Sequence, residues 1–140
     1  HFSLWSMCYE QQEEFTIFEH DAIVVNHIPR HIPYKEVISI GKPSYGGHID
    51  LKSFGVNPLT SKRYFPGAHA YRLRPAGAKK LIDQAKICAK PTDIYLNLDT
   101  FPNLQEYYPW PVEAKDTFTT IQKRQGCLAK HNYDETYKII

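Results

Sequence analysis

Cysteine is scarce in this chain of 140 residues: Cys8, Cys88 and Cys127 are odd in number and far apart. That spacing argues against a disulfide framework and a zinc knuckle, and leaves reduced thiols as the simpler state. No apolar run approaches the roughly eighteen residues of a spanning helix. The N-terminus has no basic segment followed by an apolar stretch, so this segment gives no sign of how the protein would reach a membrane. Excess charge of one sign is missing too, with 17 Lys and Arg against 15 Asp and Glu for a formal +2. The basic pairs Lys62-Arg63, Lys79-Lys80 and Lys123-Arg124 are dispersed, which argues against a nucleic-acid partner. Glycine-rich phosphate loops of the Gly-x-x-x-x-Gly-Lys or Gly-x-Gly-x-x-Gly kind do not occur. These absences lead us to expect one cytoplasmic domain.

What the chain does have is 42% apolar residues, enough for one sizeable core, together with ten Tyr and ten Pro. Several of these stand in stretches without periodicity, as in Pro43-Ser44-Tyr45-Gly46-Gly47 and Tyr107-Tyr108-Pro109-Trp110-Pro111. Aromatic rings in loops can stack on sugar or planar rings, or plug the edge of a core. Such a surface is also compatible with self-association.

Leu4, Trp5, Cys8 and Tyr9 fall three and four apart, predicting an amphipathic helix over residues 2–14. Phe15-Thr16-Ile17-Phe18 reads as a short buried strand, and Glu19-His20-Asp21 follows at once. Further strands are expected at 22–25, 36–40 and 69–74, with little periodicity between His48 and Pro66. Pro75 opens the clearest helix, over 76–90, where Gly77 weakens the first turn and Cys88 falls on the apolar side. Pro91-Thr92-Asp93 breaks that helix; 94–99 fits either a strand or a short helix, and 117–121 a late strand. Strands and helices in this order predict an α/β fold.

The acidic triplet is the most informative feature. On an extended backbone Glu19 and Asp21 leave the same face and can share a hard divalent cation, Mg2+ or Mn2+, through oxygen ligands. His20 joins such a shell if the strand twists or ends at Glu19, since imidazole suits intermediate metals. The structural alternative has Glu19 and Asp21 capping the next segment or pairing with Arg30, His31 or Lys35.

The stretch from Trp5 to Asp21, with Phe15-Thr16-Ile17-Phe18-Glu19-His20-Asp21-Ala22, resembles the lipopolysaccharide-biosynthesis and collagen-galactosyltransferase-like sugar transferases, glycosyltransferase family 25. Members carry an apolar strand followed by Glu-Asp-Asp. A second match is Gly67-Ala68-His69-Ala70-Tyr71, similar to the family's Gly-Thr-x-x-Tyr strand, leading into Gly77-Ala78-Lys79-Lys80-Leu81. Pro91-Thr92-Asp93 is similar to the Pro-x-Asp that follows, and 111–122 is a looser match to the closing strand.

The resemblance implies a nucleotide-sugar transferase of GT-A-like fold, a central mixed sheet flanked by helices, with a UDP-sugar donor, a divalent metal and a glycan hydroxyl as acceptor. It implies that Glu19, Asp21 and His20 belong to the metal and diphosphate site. Gly67, His69 and Tyr71 would line the donor pocket, and Asp93 would act as general base toward the acceptor. His20 replaces the middle acid of the family's triplet, which removes one negative charge. Family members also carry an upstream segment with a first strand and part of the base pocket, so an incomplete N-terminal half is expected.

Other positions carry weaker signals. Gly46-Gly47-His48 with Asp50 reads as a turn that can also serve a sugar or metal site. Tyr107, Tyr108 and Trp110 can make a stacking wall for an acceptor or a lid on the core, and His131 and Asp134 can supply a late metal ligand. Three other functions compete with transfer: a transferase-like domain that binds without turnover, a metal-dependent phosphoester hydrolase using Glu19, Asp21 and His48, and a plain interaction domain.

Overall fold

Phe2–Gln11 forms α1 and Pro75–Ile87 forms α2, and both lie on one face of a five-stranded sheet. A computed structural model describes residues 1–44, 47–49, 53–65 and 68–114. Its strands are β1 (Phe15–Phe18), β2 (Ala22–Val24), β3 (Val37–Ser39), β4 (Gly55–Pro58), β5 (Ala70–Leu73), β6 (Gln105–Tyr108) and β7 (Val112–Ala114). A one-turn helix, α3 (Thr92–Tyr95), follows α2. The expected late strand at 117–121 lies outside the described residues, as do Cys127, His131 and Asp134.

The sheet runs β1-β5-β3-β6-β4, and β2 pairs with β7 in a separate ribbon. β5 is antiparallel to both β1 and β3, β3 is parallel to β6, and β4 is antiparallel to β6. It follows that β1, β3 and β6 point one way and β4 and β5 the other. The architecture is mixed α/β, as the alternation of elements predicts. Among the described residues no helix is long and apolar enough to cross a membrane.

Period-two alternation sorts the strand side chains into two layers. Ile17, Val37, Tyr71 and Leu73 face the helices and meet Trp5, Cys8, Ala78, Leu81 and Ile82. Ile38, Ile40 and Ala70 face the other way, under Ile32, Tyr34 and Val112. β5 is buried along its whole length, which is why its run reads as a strand so clearly. Trp5 stacks on Tyr95 at 5.5 Å and donates to the Tyr71 hydroxyl, so α1, α3 and β5 are tied at one point. Burying rings of this size is worth about 2–3 kcal/mol each.

Several expectations are corrected. α1 stops at Gln11 rather than at 14, because Gln12 turns left-handed at φ 56°. Among the described residues β1 is an edge strand rather than a buried one: only its Ile17 is buried, and Phe18 is 45% exposed. The stretch between His48 and Pro66 contains β4, and Tyr107 and Tyr108 lie in β6 rather than in a loop. Cys88 is exposed at the C-cap of α2 rather than inside its apolar face. Gly77 has a packing role: a Cβ there would sit 2.5 Å from the Glu36 carbonyl, so the bare backbone is what lets α2 approach the start of β3.

Candidate functional site

Because β1, β3 and β6 are parallel, their carboxyl ends lie at one end of the sheet, where open α/β sheets bind ligands. Glu19-His20-Asp21 leaves β1 there, Gly41-Lys42-Pro43 leaves β3, and Tyr108-Pro109-Trp110 leaves β6. His69 arrives at the same end, just ahead of β5. Topology thus collects segments that are up to about ninety positions apart in sequence.

The Glu19 backbone N–H donates to the His69 carbonyl at 2.8 Å, extending the β1–β5 ladder by one step. Its carboxylate lies 2.9 Å from His1 Nε2, and His1 Nδ1 lies 2.8 Å from the Tyr71 hydroxyl. Trp5 Nε1 donates to that same hydroxyl at 2.8 Å. A neutral His1 protonated on Nε2 satisfies the set: indole to phenol, phenol to imidazole, imidazole to carboxylate. Burial pushes the Tyr71 hydroxyl well above the usual phenol range; the Trp5 hydrogen bond opposes this and the Glu19 charge adds to it.

The extended geometry expected for the triplet does not occur. Ala22 N donates to Glu19 O at 3.1 Å, closing a turn through His20 and Asp21 before β2 begins. His20 is exposed at this turn, and Glu19 bonds His1 rather than the expected Arg30, His31 or Lys35. Asp21 is half-buried, and its buried Oδ1 meets no hydrogen-bond donor among the described residues. A carboxylate oxygen in that position costs free energy unless a cation or a proton meets it. Among the described residues no three His, Cys, Asp or Glu side chains are grouped closely enough to hold a metal ion. Asp21 Oδ1 is nevertheless the atom of the triplet that fits a cation, since Glu19 is already engaged.

Of the expected pocket residues, Tyr71 is wholly buried and His69 is 1% exposed. The His69 ring lies against Gly41, where an added Cβ would come within 2.5 Å of its Nε2. Gly67 lies outside the described residues, as do Asp50, Tyr45 and Gly46. Asp93 sits in the first turn of α3, where its carboxylate accepts from Ile94 N at 3.0 Å. Its neighbour Thr92 lines a pocket together with His1, Trp5, Ala85, Lys90 and Tyr95. His1, the residue that engages Glu19, therefore also faces the α3 side.

Two participants escaped the sequence reading. His1 has no spacing signal toward Glu19, since they meet only when α1 folds back over β1. Phe54 stands in a stretch without periodicity and is 81% exposed, with its ring 5.8 Å from that of Tyr108. An exposed aromatic beside a strand whose partner lies fifty residues on shows itself only in the register, Gly55 opposite Tyr108.

No family model, curated protein or solved structure matches the chain.

Proposed function

We propose that this chain belongs to a metal-dependent sugar transferase of GT-A-like fold, which passes a sugar from a UDP-sugar to a glycan hydroxyl. The observation that carries the reading is the meeting of the acidic triplet, the β3 loop and the Tyr108-Trp110 segment at the carboxyl ends of three parallel strands. β1 has only β5 as a neighbour among the described residues, so its other edge is open to the further strand that the family resemblance implies. The bound sugar nucleotide and glycan are the partners in this reading, and the cytoplasm is its compartment.

Asp21, with Glu19 once His1 releases it, would hold a divalent ion that neutralises charge on the departing diphosphate. The Trp5-Tyr71-His1 chain of hydrogen bonds holds the Glu19 carboxylate in place at the end of β1. Asp93 is the carboxylate assigned to the acceptor side, where it would take the proton of the attacking hydroxyl. His69 braces the turn from below through its carbonyl.

A second reading has its own observation: Glu19 is occupied by His1, which favours a transferase-like domain that binds without turnover. Calorimetric titration of UDP with and without Mn2+ separates the two from a plain interaction domain. Manganese-dependent binding that disappears in a Glu19→Ala, Asp21→Ala double variant is the expected result. Binding of the same strength in the double variant, or none in the parent chain, sinks the donor-site assignment. Product release from UDP-sugars then decides between turnover and binding alone.

A further inference from the structure

The opposite end of the sheet, where β1 and β3 begin and β5 ends, holds a second group of charges. Continuing the β1–β5 register one step past Phe15 and Leu73 sets Glu14 opposite Arg74, with Arg72 diagonal to it on the same face. Tyr34 covers that face, and the Arg74 guanidinium lies 4.7 Å over its ring. The Arg72 side chain is 9% exposed, whereas those of Glu14 and Arg74, at 37% and 43%, reach the surface. A mouth of one carboxylate and one guanidinium therefore stands over a floor of guanidinium and buried phenol.

That floor is under-served. Arg72 Nη1 donates to the Arg30 carbonyl at 3.2 Å, but the buried Arg72 Nε–H and the buried Tyr34 hydroxyl meet no acceptor among the described residues. Glu14 stands between the two guanidiniums and bonds neither: one oxygen is 3.9 Å from Arg72 Nη1 and the other 3.6 Å from Arg74 Nε, beyond hydrogen-bond reach. Burial pushes the Tyr34 hydroxyl well above the usual phenol range and the Glu14 charge adds to this, so the hydroxyl is a donor at neutral pH. An enclosed arginine ordinarily meets a carboxylate or phosphate through short, paired bonds. Three side chains supply donors here and two of them are cationic, which matches an oxyanion of charge −2 with acceptors on several sides better than a planar carboxylate.

We infer that Arg72, Arg74 and Tyr34 form an oxyanion site for a phosphate group, free or esterified, and that Glu14 is the placeholder the ligand displaces. Glu14 and Glu19 lie five residues apart along β1, about 17 Å at an extended rise of roughly 3.3 Å per residue, so the site is separate from the acidic triplet. It does not depend on the transferase reading.

Arginine Nε–H signals in a nitrogen–proton correlation spectrum report on such a site directly. We would titrate the full 140-residue chain with sodium phosphate at constant ionic strength, without nucleotide or metal, and assign the signals with Arg72→Lys and Arg74→Gln. Saturable movement of the Arg72 and Arg74 signals is expected, while that of Arg63, which is paired with Asp99, stays. Arg74→Gln, at a half-exposed position, is expected to weaken binding about tenfold, the size of one charge-assisted hydrogen bond. Glu14→Gln is expected to tighten it about fivefold, an outcome that a misfolded variant cannot imitate. Glycerol 3-phosphate binding as tightly as inorganic phosphate assigns the site to phosphate esters, and its exclusion assigns the site to the free ion. Signals that follow chloride or acetate as readily as phosphate, unchanged affinity in Arg74→Gln, or weaker binding in Glu14→Gln would each overturn the inference.

Discussion

Glu106 and Asp21 are carboxylates on one scaffold with opposite surroundings. Glu106 is 1% exposed, yet each of its oxygens is met: Oε1 accepts from Thr60 N at 2.7 Å and Ser61 N at 2.8 Å, and Oε2 accepts from the Ser61 hydroxyl at 2.5 Å. Asp21, at the turn after β1, has a buried oxygen that no donor among the described residues serves. The first carboxylate staples the 59–61 segment to β6 and is consumed in doing so. The second is left available. Burial alone therefore does not mark a functional acid; the state of its hydrogen bonds does.

Removing the staple should produce the largest loss. Glu106→Ala would take the acceptor from the Thr60 N–H and leave the buried Ser61 N–H and hydroxyl unpaired, and we expect it to cost about 3 kcal/mol in urea unfolding. Glu106→Gln keeps one acceptor oxygen and should lose roughly half as much. If the alanine variant unfolded at the same urea concentration as the parent, the staple would be no more than a surface contact.

Gly77→Ala comes next, and it sets local propensity against packing. Helix propensity favours alanine by about 1 kcal/mol. The added Cβ, however, would meet the backbone of Glu36 at 2.5 Å, and backbone does not give way cheaply. We expect a net loss of about 1–3 kcal/mol. A gain in stability would mean that α2 can slide away from β3.

The buried phenols on both sides of the sheet should also register in alkali. Burial pushes the Tyr95 hydroxyl up to about 12, with Cys88 adding to it, and drives those of Tyr71 and Tyr34 higher. A phenol pKa raised on folding favours the protonated native state below the unfolded value near 10. That contribution is present in full at neutral pH and is lost as pH climbs through the folded values. Unfolding free energy should therefore fall between about pH 10 and 12, and less steeply in Tyr95→Phe. A flat profile over that window would mean that these hydroxyls reach solvent in the native state.

The legible parts of this molecule are those where one segment carries its own evidence. Pro75 and the apolar spacing from Ala78 to Ile82 define α2 without outside help, and β5 reads clearly because it is buried on both sides. β4, β6 and β7 are three or four residues long and owe their existence to partners far along the chain, so no local pattern announces them. At the site the triplet was visible as composition, but its shape was not. Whether Glu19 and Asp21 share a face depends on the bond from Ala22 to Glu19, which an extended reading cannot foresee.

The smallest effect on stability falls on the residue with the most to lose in function. Asp21→Asn removes the charge while keeping the shape, and the lost charge had no donor to reward it. Stability should rise or stay within about 0.5 kcal/mol of the parent, in contrast with Glu106→Gln. Manganese-dependent UDP binding should disappear in the same variant, because a neutral amide is a poor ligand for a hard cation. A loss of stability as large as that at Glu106 would show that Asp21 supports the turn after β1, and the two carboxylates would then differ only in where they sit.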